Sequence, residues 1–298
     1  MKKRLVLLFT LLFVSQMAMA EGFDDITLKT TKVSDNIYML QGVGGFAGGN
    51  IAVSAGADGI LIVDDQFAAM HDKIKAALAD INPGKLRFVL NTHWHGDHTG
   101  GNAIFSKQAT VIAHDNVRKR LQASQENDFG QSPAQPKEAW PLITFDESLT
   151  IHMNGEAIDF IHFPNGHTDG DGVVFFTQSN VIHVGDHFFV DAFPFVDISS
   201  GGNVLSYTNN VKKLIEQMPE DVKIIPGHGS LATLDDYKRF YDMLVSTTDY
   251  VKTRIDADMS LAQIQAEGLP EKWDSWGDGF IKAKNWISFI YQALAKGK

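Results

Sequence analysis

The sequence predicts an α/β (α+β) chain built from two sheets, each backed by helices. Three observations carry that reading. Short apolar, strand-like runs alternate with stretches of helical spacing. A strand-rich and mixed block occurs twice, over roughly Ile37–His114 and Leu149–His228. No domain linker separates the two blocks, so 21–298 reads as a single domain. Hydrophobic residues make up 44% and charged residues 21% of the 298, enough for a sizeable core.

The elements follow in order. Lys2, Lys3 and Arg4 precede the apolar run Leu5–Val14, and Ala18-Met19-Ala20 is a small-x-small cleavage site. Residues 1–20 therefore read as a secretory signal peptide, cut after Ala20. The run is too short to span a bilayer comfortably. The expectation is an exported protein, periplasmic or secreted, with no membrane anchor after cleavage. Strands are predicted at Asn36–Gln41, Asn50–Ser54 and Gly59–Val63. The glycine-rich run Gly42–Asn50 leads into a strand, not a helix, so it reads as a hairpin flanking a site rather than a phosphate cradle.

Phe67, Met70, Ile74 and Leu78 are spaced for a helix over Phe67–Ala79, which ends before the turn Asn82-Pro83-Gly84. A strand at Leu86–Leu90, a strand at Thr110–Ala113 and a helix at Asn116–Gln122 come next. The polar stretch Ala123–Trp140, with Gly130, Pro133 and Pro136, is the least structured, a loop over the site or an insertion. Four strands follow at Leu149–Met153, Ala157–Phe163, Gly172–Gln178 and Asn180–Val184. Then come a helix at Val204–Gln217, a strand at Val222–Ile225, and helices at Leu234–Tyr250 and Phe280–Ala295.

The chemistry concentrates in NTHWHGDHTGGN, residues 91–102. His93 and His95 alternate along an extended backbone and can point the same way. Asp97 and His98 are adjacent and diverge, which suits a second, neighbouring position. Imidazole and carboxylate are ordinary ligands for a borderline divalent metal. His167 in FPNGHTDGD, Asp186 in HVGDHFF and His228 in IIPGHGS each follow an apolar run and a glycine. One such histidine would read as structural; three such turns plus the cluster read as a metal centre. His71, His114, His152, His162 and His183 are isolated on helix or strand patterns and read as structural or solvent-facing. There is no Cys, which excludes disulfides, thiolate ligands and a thiolate nucleophile. The net charge of −10 makes a nucleic-acid backbone an unsuitable partner and leaves a small molecule as the expected one. Oligomeric state is not legible.

The order HxHxDH, GHT, GD, PGHG resembles the metallo-β-lactamase superfamily of metal-dependent hydrolases, over essentially the whole chain from about Ile37. The resemblance implies a four-layer αββα sandwich with metals at one edge of the sheets. It implies one divalent ion held by His93, His95 and His167, and a second by Asp97, His98 and His228. Asp186 would bridge them. Zinc is the default for this His/Asp mixture, and iron or manganese is compatible. A metal-bridging hydroxide would cleave an ester-like, lactone, thioester, phosphoester or amide bond. Asp97 would orient it and accept a proton as the catalytic residue. Asp64 in LIVDDQ would support the histidine loop, and His187 is a candidate for a supporting or substrate role.

The chain departs from the antibiotic-hydrolysing members at Asp186, where they usually carry Cys or Ser. Asp there looks more like glyoxalase II, lactonases and phosphodiesterases. The alternatives are a β-lactam-hydrolysing metallo-β-lactamase and an iron-dependent redox member resembling persulfide dioxygenases. Phe188, Phe189, Phe193 and Phe195 could line an apolar pocket or pack in the core. Trp273, Trp276, Trp286, Phe280 and Phe289 read as helix packing or a dimer face.

Overall fold

A computed structural model describes residues 22–127 and 130–295; the expected signal peptide, residues 1–20, lies outside them. The first sheet runs β1 (Thr27–Lys32), β2 (Ile37–Val43), β3 (Ile51–Gly56), β4 (Gly59–Val63), β5 (Leu86–Asn91), β6 (Thr110–His114) and β7 (Ile143–Phe145), neighbour to neighbour in that order. Pairs from β1 to β4 are antiparallel, and pairs from β4 to β7 are parallel. The second sheet runs β8 (Ser148–Met153), β9 (Glu156–His162), β10 (Gly172–Phe176), β11 (Val181–His183), β12 (Lys223–Ile225) and β13 (Ala232–Thr233). Only β11 and β12 pair in parallel there.

Alternation along the strands sorts the core into layers. Leu61, Val63, Leu90 and Ile112 from the first sheet meet Ile158, Phe160, Val174 and Phe176 from the second. Ile60, Ile62 and Val89 face the other way, onto Ile74 and Leu78 of the His71–Ile81 helix. Val173 and Ile182 likewise face Tyr207, Phe240 and Trp286 of the helices Val204–Gln217, Leu234–Asp256 and Ala283–Ala295. Strands buried on both faces read as unbroken apolar runs, which is why β4 is GILIV. The layers are helix, sheet, sheet, helix, the expected αββα sandwich. Each buried Leu, Ile, Val or Phe contributes roughly 1.5–3 kcal/mol, so the central layer holds the sheets face to face.

The structure differs from the sequence expectation at weakly apolar elements. β1 is TLKTTK, an edge strand with no apolar run. The stretch 123–140 contains two short strands, Gln125–Asn127 and Gly130–Ser132, and a 3-10 turn at Lys137–Ala139. The helix from Leu234 continues to Asp256, and a further helix, Leu261–Glu267, begins with a Ser260/Gln263 capping box. Phe280 precedes the last helix instead of starting it. No helix of the described residues is long and apolar enough to cross a membrane.

Topology brings the site together. The carboxyl ends of β4, β5, β11 and β12 carry Asp64, the histidine cluster, Asp186 and His228. Parallel strands deliver their carboxyl ends to one edge of a sheet. His167 reaches the same edge from the loop before β10.

Candidate metal centre

Two groups of side chains that could hold a metal ion lie side by side at this edge. His93, His95, His167 and Asp186 form one, and Asp97, His98 and His228 the other; within each group the donor atoms lie within 4.8 Å of one another. The carboxylate of Asp186 faces both. Its Oδ2 is 3.4 Å from His167 Nε2 and 3.8 Å from His93 Nε2. Its Oδ1 is 3.2 Å from His98 Nε2 and 3.4 Å from His228 Nε2. Asp97 Oδ2 lies 3.4 Å from both His98 Nε2 and His228 Nε2.

The far sides of four of the five rings are held, which aims the near nitrogen. His98 Nδ1 donates to Asp64 Oδ2 at 2.7 Å. His167 Nδ1 donates to the carbonyl of Phe195 at 2.7 Å. His95 Nε2 donates to Asp197 Oδ2 at 2.9 Å, leaving Nδ1 turned to His167. His93 Nδ1 lies 3.1 Å from the Thr92 hydroxyl. Such backing sets the tautomer and orientation of a ligand ring.

The backbone is shaped to match. Asp64 and Gln66 both take left-handed φ, 64° and 57°, uncommon for residues with a Cβ. The turn lets Asp64 Oδ1 receive the Thr92 amide and Asp65 Oδ1 receive the Gly101 amide. Gly49 and Gly227 are close approaches. A Cβ on Gly49 would sit 2.1 Å from His98 Cε1, and one on Gly227 2.1 Å from Asp186 Oδ1.

Electrostatics divide the groups. Burial opposes charge on Asp186, but His228 and His98 overcome it and hold the carboxylate well below its usual range. Asp97 is lowered in the same way by His98 and His228. Burial also opposes charge on His228, yet Asp186 and Asp97 push it up to about 9. Burial wins at His93, which is lowered well below its usual value, and at His167, lowered to about 4. At His98 burial is again outweighed, and Asp186, Asp97 and Asp64 push it up, so two carboxylates and two imidazoles hold one another in their charged forms. Divalent ions bound there would favour the neutral imidazoles and ionised carboxylates that ligate them. The donor set fits such ions. His93 Nε2 and Asp186 Oδ1 are fully buried without a hydrogen-bond partner, which native interiors rarely tolerate unless something binds there.

A family model described as the Metallo-beta-lactamase superfamily matches residues 48–228, more than half of the chain. The chain belongs to the metallo-beta-lactamase superfamily. Its relatives are distant. It is 23% identical over 215 residues to a metallo-beta-lactamase type 2 of Bacteroides fragilis, covering 69% of this chain and 80% of that one. It is 25% identical over 216 residues to a hydroxyacylglutathione hydrolase of Crocosphaera subtropica, covering 68% of this chain and 72% of that one. Among solved structures, a metallo-beta-lactamase from Pontibacter korlensis superposes with a TM-score of 0.61 at 16% identity, over 73% of this chain and 99% of that one. The DIM-1 metallo-beta-lactamase gives 0.59 at 19% identity, over 74% and 98%. These likenesses establish the fold and an enzyme of this superfamily.

Within that superfamily frame, the remaining expected residues separate. Phe188 and Phe193 do not line the cleft. Phe188 is 1% exposed against Tyr237 and Phe240, and Phe193 is 1% exposed against Trp286. The helices behind the second sheet draw both inward. Phe195 stacks on His95, ring centroids 5.6 Å apart, and Phe189 on His228 at 5.0 Å. His187 lies behind the site, stacked on Tyr207 and accepting from Asn210 Nδ2. Burial, followed by His167, lowers it to about 3, so it is a neutral packing group.

Three contributors were not expected. Asp197 backs His95 across 102 positions. Thr92 ties the cluster to Asp64. Asn50 brackets His228, its side chain donating to the carbonyls of Pro226 and Gly229 and its amide to Gly227. Asp197 closes the phenylalanine-rich run 187–197, but nothing local marks it as a partner of His95.

Proposed function

We propose that this chain is a dinuclear, zinc-dependent hydrolase of ester-like bonds, exported to the periplasm or beyond. The supporting observation is the divided Asp186 carboxylate, with one oxygen toward each donor group. His93, His95 and His167 would hold one ion, Asp97, His98 and His228 the other, and Asp186 both. Ions so held would supply Lewis acidity and lower the pKa of a nearby water. Asp97 is half-buried at the cleft, where its Oδ2 can orient the attacking water and take its proton. Phe195 covers the His95 and His167 rings and keeps bulk water from that side.

Lactone, thioester and phosphoester substrates fit better than β-lactams. Asp186, placed to face both groups, would add negative charge between two ions held there. That suits attack on an activated carbonyl more than capture of the amide nitrogen released by a β-lactam. A hydroxyacylglutathione hydrolase and a metallo-beta-lactamase type 2 are both among the relatives, so the substrate panel spans both classes. The deciding experiment joins metal analysis of purified protein to a panel of lactone, thioester, phosphodiester and β-lactam substrates. Two zinc ions per chain with ester-like turnover are expected. Iron with oxygen uptake would replace the hydrolytic reading by a redox one, and faster opening of β-lactams would reverse the ranking. Export predicts Glu21 as the first residue of protein from the native host; retained Met1 would remove it.

A further inference from the structure

His183 ends β11 with its side chain fully buried. Along β11 it shares a face with Val181, which packs between the sheets, while Ile182 faces the helices. The ring therefore points from the second sheet toward the first. There its Nε2 lies 3.0 Å from the carbonyl of Asn50, the residue before β3. Its Nδ1 receives the amide of Gly185 at 3.1 Å. An amide can only donate, so Nδ1 is the bare nitrogen and Nε2–H donates to Asn50. Burial favours that neutral ring and holds His183 below its usual value.

These two bonds complete a closed circuit. The Asn50 amide donates to the carbonyl of Gly227 at 2.8 Å, and the Gly227 amide donates to the carbonyl of Gly185 at 2.8 Å. Asn50, Gly227 and Gly185 each use both backbone groups, and the His183 ring joins the two ends. All four bonds run head to tail, an arrangement in which each polarises the next. The circuit ties three chain segments together. Asn50 ends the glycine-rich hairpin, Gly185 precedes Asp186, and Gly227 precedes His228. An apolar side chain at 183 would remove the partners of a buried amide and a buried carbonyl, which folded interiors rarely tolerate.

We infer that His183 is a positioning residue for the second donor group: by closing the circuit it sets the turn of His228 against the turn of Asp186. The 3.4 Å separation of Asp186 Oδ1 and His228 Nε2 is the gap so held. His93, His95 and His167 come from loops outside the circuit, so its loss should be felt at the second group first. This rests on the two-ion reading of the site and adds to it a requirement for a neutral, doubly bonded ring at 183.

The test titrates zinc, with chelator competition, into metal-free wild type, His183→Gln, His183→Asn and His183→Leu. His167→Ala and His228→Ala assign the two binding steps. Gln retains a donor for Asn50, Asn retains an acceptor for Gly185, and Leu retains neither. The step lost in His228→Ala should weaken about 10–100-fold in His183→Leu, the range for partners of ligand rings, and by less in the Gln and Asn variants. The other step should change less. Thr247→Val, which removes the buried acceptor of Trp286 Nε1, is a destabilised control outside the circuit and should spare both steps. Crystal structures of the metal-free variants should show Asp186 Oδ1 and His228 Nε2 farther apart than 3.4 Å. If His183→Leu fails to fold, the Gln and Asn variants decide. Both steps weakening together, as a general loss of stability would give, or neither weakening, overturns the positioning role. So does an unmoved separation. A wild type that binds a single zinc overturns the two-ion reading, and the separation in the metal-free structures then decides the role of His183.

Discussion

Asp64 and His98 stand 34 positions apart and share one 2.7 Å hydrogen bond, with both side chains fully buried. The same carboxylate receives the amide and the hydroxyl of Thr92, each at 2.8 Å. Asp64 therefore fixes both the loop and one ring of the cluster. Asp64→Ala strands three buried donors at once. We expect a loss of about 3 kcal/mol in urea denaturation. Metal affinity at the second group should fall about 10–100-fold, as for other partners of ligand rings. Competition with a zinc chelator would show it; unaltered affinity would remove the role of Asp64.

Gly227 and Gly96 make a paired test of backbone approach. A Cβ at Gly227 meets Asp186 Oδ1 at 2.1 Å, whereas one at Gly96 meets nothing within 4 Å. Gly227→Ala should displace Asp186, cost roughly 1–3 kcal/mol and lose metal. Gly96→Ala sits inside the histidine cluster and should be nearly neutral. Thermal melts and elemental analysis of the two variants distinguish them.

Metal removal should weaken the protein as well as silence it. Ligand at about a thousandfold over its Kd stabilises by about 4 kcal/mol. For a domain of this size that is a Tm shift of about 10 °C. His167→Ala should empty the first group preferentially and His228→Ala the second. A single ion per chain under saturating zinc would contradict two sites.

Asp97→Asn should keep the fold and lose most turnover. It removes the charge on Oδ2 while preserving the side-chain shape. A drop of about 100-fold or more in kcat is expected, in line with general acid–base contributions. Full activity on the preferred substrate would reassign the proton acceptor.

Acid sensitivity should come partly from a histidine pair outside the metal centre. His114 and His162 stack with centroids 3.7 Å apart and planes 13° apart. Burial, and then His162, lowers His114 to about 4; burial also lowers His162. In the unfolded chain both titrate near 6.5. Between about pH 6.5 and 4 the unfolded chain binds more protons, so stability falls as pH drops through that window. His162→Phe keeps a stacked ring without a second titrating group and should flatten the slope. Urea midpoints at pH 7 and pH 5, with chelator present throughout, would measure it.

By itself the sequence determined the identities of the seven candidate ligands and most of the strands that carry them. Those strands end in short buried apolar runs, Val89–Leu90, Val181–Ile182 and Ile224–Ile225, and the ligands follow within a few residues. Local chemistry and local order coincide there. Apart from Asp64, tertiary structure alone decided what stands behind the ligands. Asp197 is bound to His95, and Asn50 to the turn of His228, through contacts spanning more than a hundred positions. No periodicity records such a pairing, because it depends on which strand ends meet at the sheet edge. The same holds for the phenylalanines of 188–195. Four near-identical residues in one run diverged, two into the core and two against the cluster, because the helices behind the second sheet fill one side of that loop and the histidines the other.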